Sequence, residues 1–420
     1  MDKLSTQDIK TLALAAFGGA LEFYDFVIFV FFAKTLSTLF FPPDMPAWLS
    51  QLQVYGIFAS GYIARPIGGV IMAHFGDLLG RKKMFSLSVL LMALPTLFIG
   101  LLPTYATLGI IAPLLLLFLR IVQGIAIGGE VPAAWVFVAE HVPQTRVGFA
   151  CASLTSGLTF GILIGSLMAT SIYTGFTPEA VLNYGWRIPF LIGGVFGFTA
   201  VWLRGWLKET PVFEAMKARK EISKDIPLKT VLKEHRLSVA LSMLVTWMLT
   251  AAIMVIILMT PTLIQTQFNI SPTDAYLGNN WAAFSLVIGC LVYGILADKF
   301  GYAKSLLTGS IILIITSYSL YLNLNSGGAY FIPLYALAGF TVGVVGIVPS
   351  VMIAAFPPVI RFSGLSFSYN MSYAIFGAIT PPFISYLSSH FGGLAPAHYV
   401  ALSAFTSVVI CGYLISIKKI

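Results

Sequence analysis

Long apolar stretches separated by short polar segments run through almost the whole chain. A helix needs roughly 20 apolar residues to cross the hydrocarbon core of a bilayer, which is about 30 Å thick. Twelve stretches of about that length are present, near residues 12–36, 51–75, 84–102, 109–139, 148–173, 187–206, 237–264, 279–297, 305–322, 329–356, 364–387 and 397–417. The pattern therefore predicts an all-α membrane protein with twelve transmembrane helices.

The one long polar segment, residues 204–236, divides these stretches into two sets of six, and two loops repeat across it. GDLLGRKK, which begins at Gly76 after the second stretch, is similar to ADKFGYAK, which begins at Ala297 after the eighth, an offset of 221 residues. PQTRVG after the fourth stretch is similar to PVIRFSG after the tenth, an offset of 215 at the arginine. The repeats predict two pseudo-symmetric six-helix bundles, 1–203 and 237–420, joined by a cytoplasmic linker at 204–236. Repeated membrane bundles bind substrate at their interface near the midplane.

Composition excludes an ordinary soluble enzyme and explains the positive charge. Charged residues make up only 10% of the chain, where soluble domains carry about 25%. A net charge of +8 could indicate nucleic-acid binding, but the 24 Lys and Arg residues are scattered between the apolar stretches. With both termini in the cytoplasm, 20 of the 24 fall on the cytoplasmic side, the usual bias of membrane proteins. The charge thus predicts a multi-pass protein of the cell (inner) membrane with no nucleic-acid partner.

Signatures of other chemistry are missing from the sequence. It has no G-x-x-x-x-G-K-[ST] loop for ATP, and its five histidines show no metal-ligand spacing. Three cysteines, Cys151, Cys290 and Cys411, lie in apolar stretches without paired spacing. No Ser/His/Asp set indicates an enzyme. We expect no enzymatic activity, no metal and no organic cofactor.

Five ionisable residues lie at membrane depth, where each costs at least about 2.5–3.5 kcal/mol and is a functional candidate. They are Glu22, Asp25, Arg65, Arg120 and Glu130. At a rise of about 1.5 Å per residue, Asp25 and Arg120 both lie roughly 16 Å from the external side, and Arg65 and Glu130 also lie at similar depths. Each pair could exchange a proton as helices move, or could simply hold helices together. Proton coupling is therefore assigned to Asp25, Glu22 or Glu130, with the choice among them open.

Other polar residues are weaker candidates. Glu22 lies three residues before Asp25 and faces the same side of its helix, where it serves either proton transfer or helix packing. Gln123 lies one turn beyond Arg120 and contacts either substrate or a neighbouring helix. Tyr369 and Asn370 are the most polar candidates of the second bundle. The substrate-binding set is thus Arg120, Arg65, Gln123, Tyr369 and Asn370.

Several motifs resemble those of the major facilitator superfamily, in particular its metabolite:proton symporter family. They are GDLLGRKK from Gly76, Glu22–Phe26, Arg65–Gly69, Gln123–Gly124 with Gly128–Glu130, Gly185–Phe190 and Glu209–Phe213. The chain departs from the family loop at Ala73, where glycine is usual, and at Tyr302, which replaces the arginine in the second copy. The resemblance implies inward symport of a small metabolite with H⁺, the coupling ion, and no other cofactor.

The resemblance also implies a cytoplasmic gate. A charge network would hold the bundles together on that side in the outward-open state, and exposed ion pairs of about 0–1 kcal/mol each can break in every cycle. Its candidates are Asp77, Gly80, Arg81, Lys82, Glu140, Arg146, Asp298 and Arg361. The alternative is that these residues only anchor the topology.

Two buried arginines favour a carboxylate substrate, because guanidinium binds carboxylate bidentately and stays charged. We expect an organic acid first and a zwitterion of the proline or betaine type second. A transporter-like sensor that binds a metabolite without moving it is the alternative from another functional class. The expected partners are the small-molecule substrate, H⁺ and the lipid bilayer, and the expected state is a monomer.

Overall fold

The computed structural model describes residues 4–71, 81–204, 227–357 and 360–416. Within these ranges the chain is almost entirely helical. The helices are α1 (Thr6–Phe31), α2 (Ala33–Phe40), α3 (Ala47–Ile71), α4 (Arg81–Leu101), α5 (Ile111–His141), α6 (Val147–Gly175), α7 (Arg187–Arg204), α8 (Pro227–Glu234), α9 (Arg236–Gln267), α10 (Pro272–Phe300), α11 (Tyr302–Asn325), α12 (Phe331–Ala355), α13 (361–391) and α14 (Ala395–Ser416).

Nine of the described helices are long and apolar enough to cross a membrane, and shorter apolar segments lie at Val89–Leu101 and Arg187–Trp202. Each of the twelve predicted stretches overlaps at least one of the helices α1–α14, although α13, which overlaps the stretch 364–387, is not among these eleven apolar helices. Twelve crossings, cytoplasmic termini and the boundaries of the two bundles and linker stay predictions.

Two helices begin earlier than their apolar stretches, because polar residues cap them. At the start of α1, the Ser5 hydroxyl accepts a hydrogen bond from the Asp8 amide (3.1 Å), and the Asp8 carboxylate accepts one from the Ser5 amide (2.8 Å). The Ser271 hydroxyl caps α10 in the same way. Such caps satisfy amides of the first turn, which have no partner within the helix. Hydrophobicity therefore locates these helices, while the caps set where they begin.

Proline explains irregular turns inside three helices. A π-helical segment, Ala252–Met259, precedes Pro261 in α9, and another, Tyr373–Gly377, precedes Pro381 in α13. A 3₁₀ segment, Gly343–Ile347, precedes Pro349 in α12. Proline has no amide hydrogen and its ring clashes with the preceding turn, so the backbone widens or tightens upstream.

Helices α3 and α5 touch backbone to backbone. A Cβ atom on Gly124 would overlap the carbonyl of Gly61, and one on Gly68 would overlap the carbonyl of Ile125. A Cβ on Gly128 would likewise overlap the carbonyl of Arg65. Small residues permit such close approach in membrane proteins, and here they bring the Arg65 and Arg120 helices together.

The same crossing recurs in the second half of the chain, between α10 and α12. Gly339 contacts the backbone of Ala282, and Gly289 contacts the carbonyl of Phe340. These four residues lie 221 or 215 residues after their counterparts Gly61, Gly124, Gly68 and Ile125, the offsets of the repeated loops. The helix packing thus supports the internal repeat predicted from the loops.

The first and second halves of the chain contact each other through several helix pairs. Helix α6 lies along α10, where Asn279 Nδ2 donates to Ser166 Oγ and Asn280 Nδ2 donates to Thr170 Oγ1, both at 2.8 Å. Helix α3 packs on α13, with the rings of Tyr62 and Tyr373 stacked 5.2 Å apart. Of the buried charges, Arg65 lies on α3 and therefore at the contact with α13.

Candidate functional site

Arg120 on α5 is completely buried in a cage of three phenylalanines. Its guanidinium carbon lies 4.3, 4.6 and 4.8 Å from the ring centres of Phe26, Phe29 and Phe58. Nη1 donates to the Phe26 carbonyl (3.3 Å) and to Gln123 Oε1 (2.7 Å). In the part of the chain that the structure describes, Nε and Nη2 have no hydrogen-bond partner. A buried cation with unused donors is suited to receive an anion.

Gln123 extends this contact to α4. Its amide nitrogen donates to Thr96 Oγ1 at 2.7 Å, and Thr96 donates to the Met92 carbonyl at 2.9 Å. Thr96 is fully buried and was missed by the sequence analysis, because one hydroxyl in an apolar helix usually only bonds its own backbone. Arg120, Gln123 and Thr96 thus form one hydrogen-bonded chain across two helices.

Asp25 faces away from Arg120, so the predicted direct pair is not formed. Cβ atoms placed on Gly193 and Gly197 of α7 would lie 2.6 and 3.1 Å from its carboxylate oxygens. Neither oxygen has a hydrogen-bond partner among the described residues, although Asp25 is only 1% exposed. Depth arithmetic gives the level of a residue but not its direction around the helix. Successive residues are rotated by about 100°, and it is Phe26 that turns its carbonyl to Arg120.

Asp25 still lies close to the hydrogen-bonded series formed by Arg120, Gln123 and Thr96. The Thr96 methyl group and Asp25 Oδ1 both lie within 3 Å of the same point beside Gly193, at 2.8 and 2.6 Å. The methyl and hydroxyl groups of threonine exchange places by rotation about one bond, and threonine uses more than one such rotamer in helices. Thr96 therefore stands between the carboxylate and the amide of Gln123.

Arg65 on α3 lies in a second cage, formed by three tyrosines. Its guanidinium carbon is 4.3, 5.0 and 5.6 Å from the ring centres of Tyr373, Tyr369 and Tyr62. The side chain is 1% exposed, and Nε and Nη2 have no hydrogen-bond partner within the described ranges. Two of the rings belong to α13, so this cation is enclosed by both halves of the chain.

Asn370, a predicted substrate-binding residue, lies beside the Arg65 site. Its amide donates to the carbonyl of Gly128 and to Ser366 Oγ (3.3 Å). Gly128 and Gly129 interrupt α5, which leaves a carbonyl there for a partner on another helix. The ring of Tyr369 meets Trp135 edge-on at 4.9 Å. Arg65, Tyr369 and Asn370, far apart in sequence, are thus brought together.

The two glutamates are buried nearby. Glu130 begins the second part of α5, two residues after Gly128, which packs on the Arg65 backbone. Glu22 lies one turn before Asp25 on α1 and is also buried. The levels of Glu130 and Arg65 therefore match, and their pairing stays a prediction, as does the choice of proton acceptor.

Four of the predicted gate residues make or adjoin contacts where α6 begins and α10 ends. The carboxylate of Asp298 accepts hydrogen bonds from the amides of Gly148 (2.8 Å) and Phe149 (3.1 Å), in the first turn of α6. A helix start offers unpaired amides and partial positive charge to an anion. Arg146 directly precedes α6. A second contact is an ion pair in which Arg361 Nη1 lies 3.9 Å from Glu140 Oε1. Both contacts join the two halves of the chain.

The remaining gate candidates cannot be placed. Asp77 and Gly80 lie outside the described residues, as do the side chains of Arg81 and Lys82. Within the described residues, no group of three or more His, Cys, Asp or Glu side chains could hold a metal ion. The buried site is therefore built from arginines, carboxyl groups, amides and aromatic rings.

Proteins named as membrane transporters are similar to this chain over nearly its whole length. The family model described as Major Facilitator Superfamily matches residues 15–381. A putative proline/betaine transporter of Staphylococcus aureus (strain MSSA476) is 31% identical, with 97% of this chain and 87% of that protein covered. The inner membrane metabolite transport protein YhjE of Escherichia coli (strain K12) is 33% identical, with 95% and 92% covered. The proline/betaine transporter of Salmonella typhimurium is 30% identical, with 95% and 82% covered.

Solved structures of the same family share the fold. The proton:xylose symporter XylE bound to 6-bromo-6-deoxy-D-glucose has a TM-score of 0.77 at 18% identity, with 97% of this chain and 95% of that one covered. A partially occluded inward-open form of XylE from Escherichia coli has a TM-score of 0.76 at 15% identity, with 98% of each chain covered. The chain is therefore a multi-pass membrane protein that belongs to the major facilitator superfamily, with proline/betaine and other metabolite transporters among its relatives.

Proposed function

We propose that the protein is a secondary active transporter that takes up a small carboxylate-bearing metabolite together with H⁺. The observation that carries this proposal is the pair of buried guanidinium groups, Arg65 and Arg120, each with two nitrogens that lack a hydrogen-bond partner among the described residues. A buried charge without a partner is unfavourable by several kcal/mol. A substrate carboxylate would supply both the countercharge and the acceptors.

Alternating access is supported by the position of Arg65. Tyr62 belongs to the first half of the chain, whereas Tyr369 and Tyr373 belong to the second. A ligand bound to this guanidinium would touch both halves and favour the arrangement in which they enclose it. A ligand shifts such an equilibrium only through different affinities for its states, and a site shared by two moving parts provides that difference.

Proton coupling is supported by the surroundings of Asp25. Charge on this carboxyl group is costly at its depth unless a proton or cation neutralises it. Sodium sites in transporters use backbone carbonyls freed in broken helices. Asp25 instead offers a carboxyl group beside hydrogen-bonding side chains that lead to Arg120, an arrangement suited to a proton.

The substrate class is an organic acid or a zwitterion, both of which carry a carboxylate. Two buried arginines favour the acid, while the names of several relatives and the aromatic rings around both arginines favour proline or betaine. Aromatic faces attract quaternary ammonium groups. Competition among succinate, proline and glycine betaine for binding to the purified protein separates these two classes.

Uptake into proteoliposomes tests the coupling ion. Labelled proline, glycine betaine or succinate is expected to accumulate when the interior is made alkaline in sodium-free buffer, and a protonophore should abolish accumulation. Liposomes without protein provide the background. Uptake that requires sodium and continues without a pH gradient would contradict proton coupling.

We infer that Asp298 and the Glu140–Arg361 pair close the cytoplasmic side. The Asp298 contact is the stronger of the two, because an ionised acceptor receives two backbone hydrogen bonds in a partly buried place, and bonds to charged groups contribute about 1.5–3 kcal/mol each. The Glu140–Arg361 pair, at 3.9 Å and partly exposed, is worth about 0–1 kcal/mol.

Asp298→Ala is accordingly expected to open this side far more than Glu140→Gln. Cys151 lies one turn beyond Gly148 in α6 and is fully buried, so opening should expose its thiol. In inside-out vesicles carrying Cys151 as the sole cysteine, the maleimide labelling rate should rise about tenfold in Asp298→Ala, the equivalent of roughly 1.4 kcal/mol, and change little in Glu140→Gln. Equal rates in both variants would show that Asp298 does not hold the gate.

A further inference from the structure

A cavity of about 570 Å³ lies at the end of the molecule opposite Asp298. It is lined by the start of α3 and by the ends of α9, α11 and α13. The first of these helices belongs to the first half of the chain and the other three to the second half. The cavity therefore lies between the two halves, on the side that the charge distribution places outside the cell.

Its walls combine polar and apolar side chains and carry no charge among the described residues that line it. Amide side chains come from Gln51, Gln267 and Asn325, and aromatic rings from Trp48 and Tyr386. Serine and threonine hydroxyls complete the lining. Amides supply both donors and acceptors, so this wall can bind groups of either sign without favouring one of them.

The lining of the cavity includes a buried hydroxyl group with unused hydrogen-bonding capacity. Ser388 is 4% exposed, and its Oγ has no hydrogen-bond partner within the described part of the chain. Tyr55, one turn after Gln51 on α3, is also buried at the cavity. A buried hydroxyl without a partner is unfavourable by about 1–3 kcal/mol, so a polar ligand would be stabilised there.

We propose that this cavity is an outer binding site for a net-neutral zwitterion of the amino-acid or betaine type, occupied before the solute reaches the arginines. The inference rests on the proposed transport function and narrows its substrate class. A zwitterion can place its carboxylate on amide and hydroxyl donors and its cationic group on oxygens and aromatic rings. A dicarboxylate would lose hydration here without meeting a countercharge.

The size of the cavity fits such a role. Ligand pockets commonly measure about 300–1,000 Å³, and a small zwitterion would fill only part of 570 Å³. Water would share the space and mediate some contacts. Binding should therefore be weak and rapidly reversible, as a site on the entry path requires.

Protection of an introduced cysteine tests the site without requiring transport. Ser385 lines the cavity and is partly exposed, while Cys151, Cys290 and Cys411 are all buried. In right-side-out vesicles, proline or glycine betaine should slow labelling of Ser385→Cys by a membrane-impermeant maleimide at least threefold, whereas succinate should not. Ser326→Cys, on an exposed turn that is not part of the cavity lining, should label at the same rate with every solute.

Two further variants separate the outer site from the central one. Protection of Ser385→Cys should persist with Arg120→Ala, because the cavity does not use that guanidinium, and should persist even if proton-driven uptake is never observed. Gln51→Lys should let succinate protect, since it adds the missing positive charge. Loss of protection with Arg120→Ala, protection by succinate with Gln51 intact, or no protection by any solute would overturn the outer site.

Discussion

Replacement of Asp25 by asparagine is expected to abolish accumulation of substrate against its gradient while leaving exchange of substrate across the membrane largely intact. Asparagine keeps the size of the side chain and fits between Gly193 and Gly197, but it cannot bind a proton in the same way. Folding should change little, because the carboxylate oxygens have no hydrogen-bond partner among the described residues. The ratio of internal to external substrate at an imposed pH gradient should fall to about one.

Glu22→Gln is the matched control for this prediction. Glu22 lies on the same helix, one turn away, and is similarly buried. If Asp25 is the coupling acid, Glu22→Gln retains accumulation while Asp25→Asn loses it. If Asp25→Asn still concentrates substrate as well as the parent protein, the assignment is wrong and Glu22 or Glu130 becomes the candidate.

Replacement of Arg120 by alanine should weaken substrate binding itself, by roughly thirtyfold or more. Removing one partner of a buried, hydrogen-bonded charge pair costs about 2–5 kcal/mol, and 1.4 kcal/mol corresponds to about a factor of ten. Exchange and accumulation should both be lost, unlike in Asp25→Asn. Equilibrium binding measured by calorimetry on the purified protein distinguishes the two phenotypes.

Lysine variants sharpen the test of Arg120. Arg120→Lys keeps the charge but not the planar fork that reaches Phe26, Gln123 and a carboxylate together, so binding should remain impaired. The control is Arg187→Lys. Arg187 Nη1 donates to the carbonyls of Gly100 and Leu102, at 2.9 and 2.8 Å, away from the Arg120 site, so this variant should leave substrate affinity unchanged. Full affinity in Arg120→Lys would indicate that charge alone suffices.

The location of the helices and the buried charges could be predicted from the sequence for a physical reason. Membrane thickness fixes the length of an apolar stretch, and an ionisable residue inside one is too costly to occur without a partner or a role. Arg65, Tyr369 and Asn370, predicted separately, do lie together. The two repeated loops also anticipated the duplicated crossing of α3 with α5 and of α10 with α12.

Directions around helices could not be predicted in the same way. Asp25 and Arg120 lie at matching depth, yet the carboxylate faces α7 while the guanidinium faces Phe26. The aromatic cages escaped notice because 14% of the residues are aromatic and most such rings in a membrane protein pack against lipid or one another. The outer cavity was also missed, since it consists of uncharged residues that are ordinary in sequence and gathered only by the fold.

The backbone contact between α3 and α5 has a further consequence for motion. No side chains separate Gly61 from Gly124 or Arg65 from Gly128, so the two helices have no soft layer over which to slide. Arg65 and Arg120 should then travel as one body, with a nearly constant spacing between their Cα atoms in every state. A ligand that contacts both guanidinium groups must therefore fit a fixed distance between their helices. The Arg65 cage then opens by withdrawal of the α13 tyrosines, Tyr369 and Tyr373.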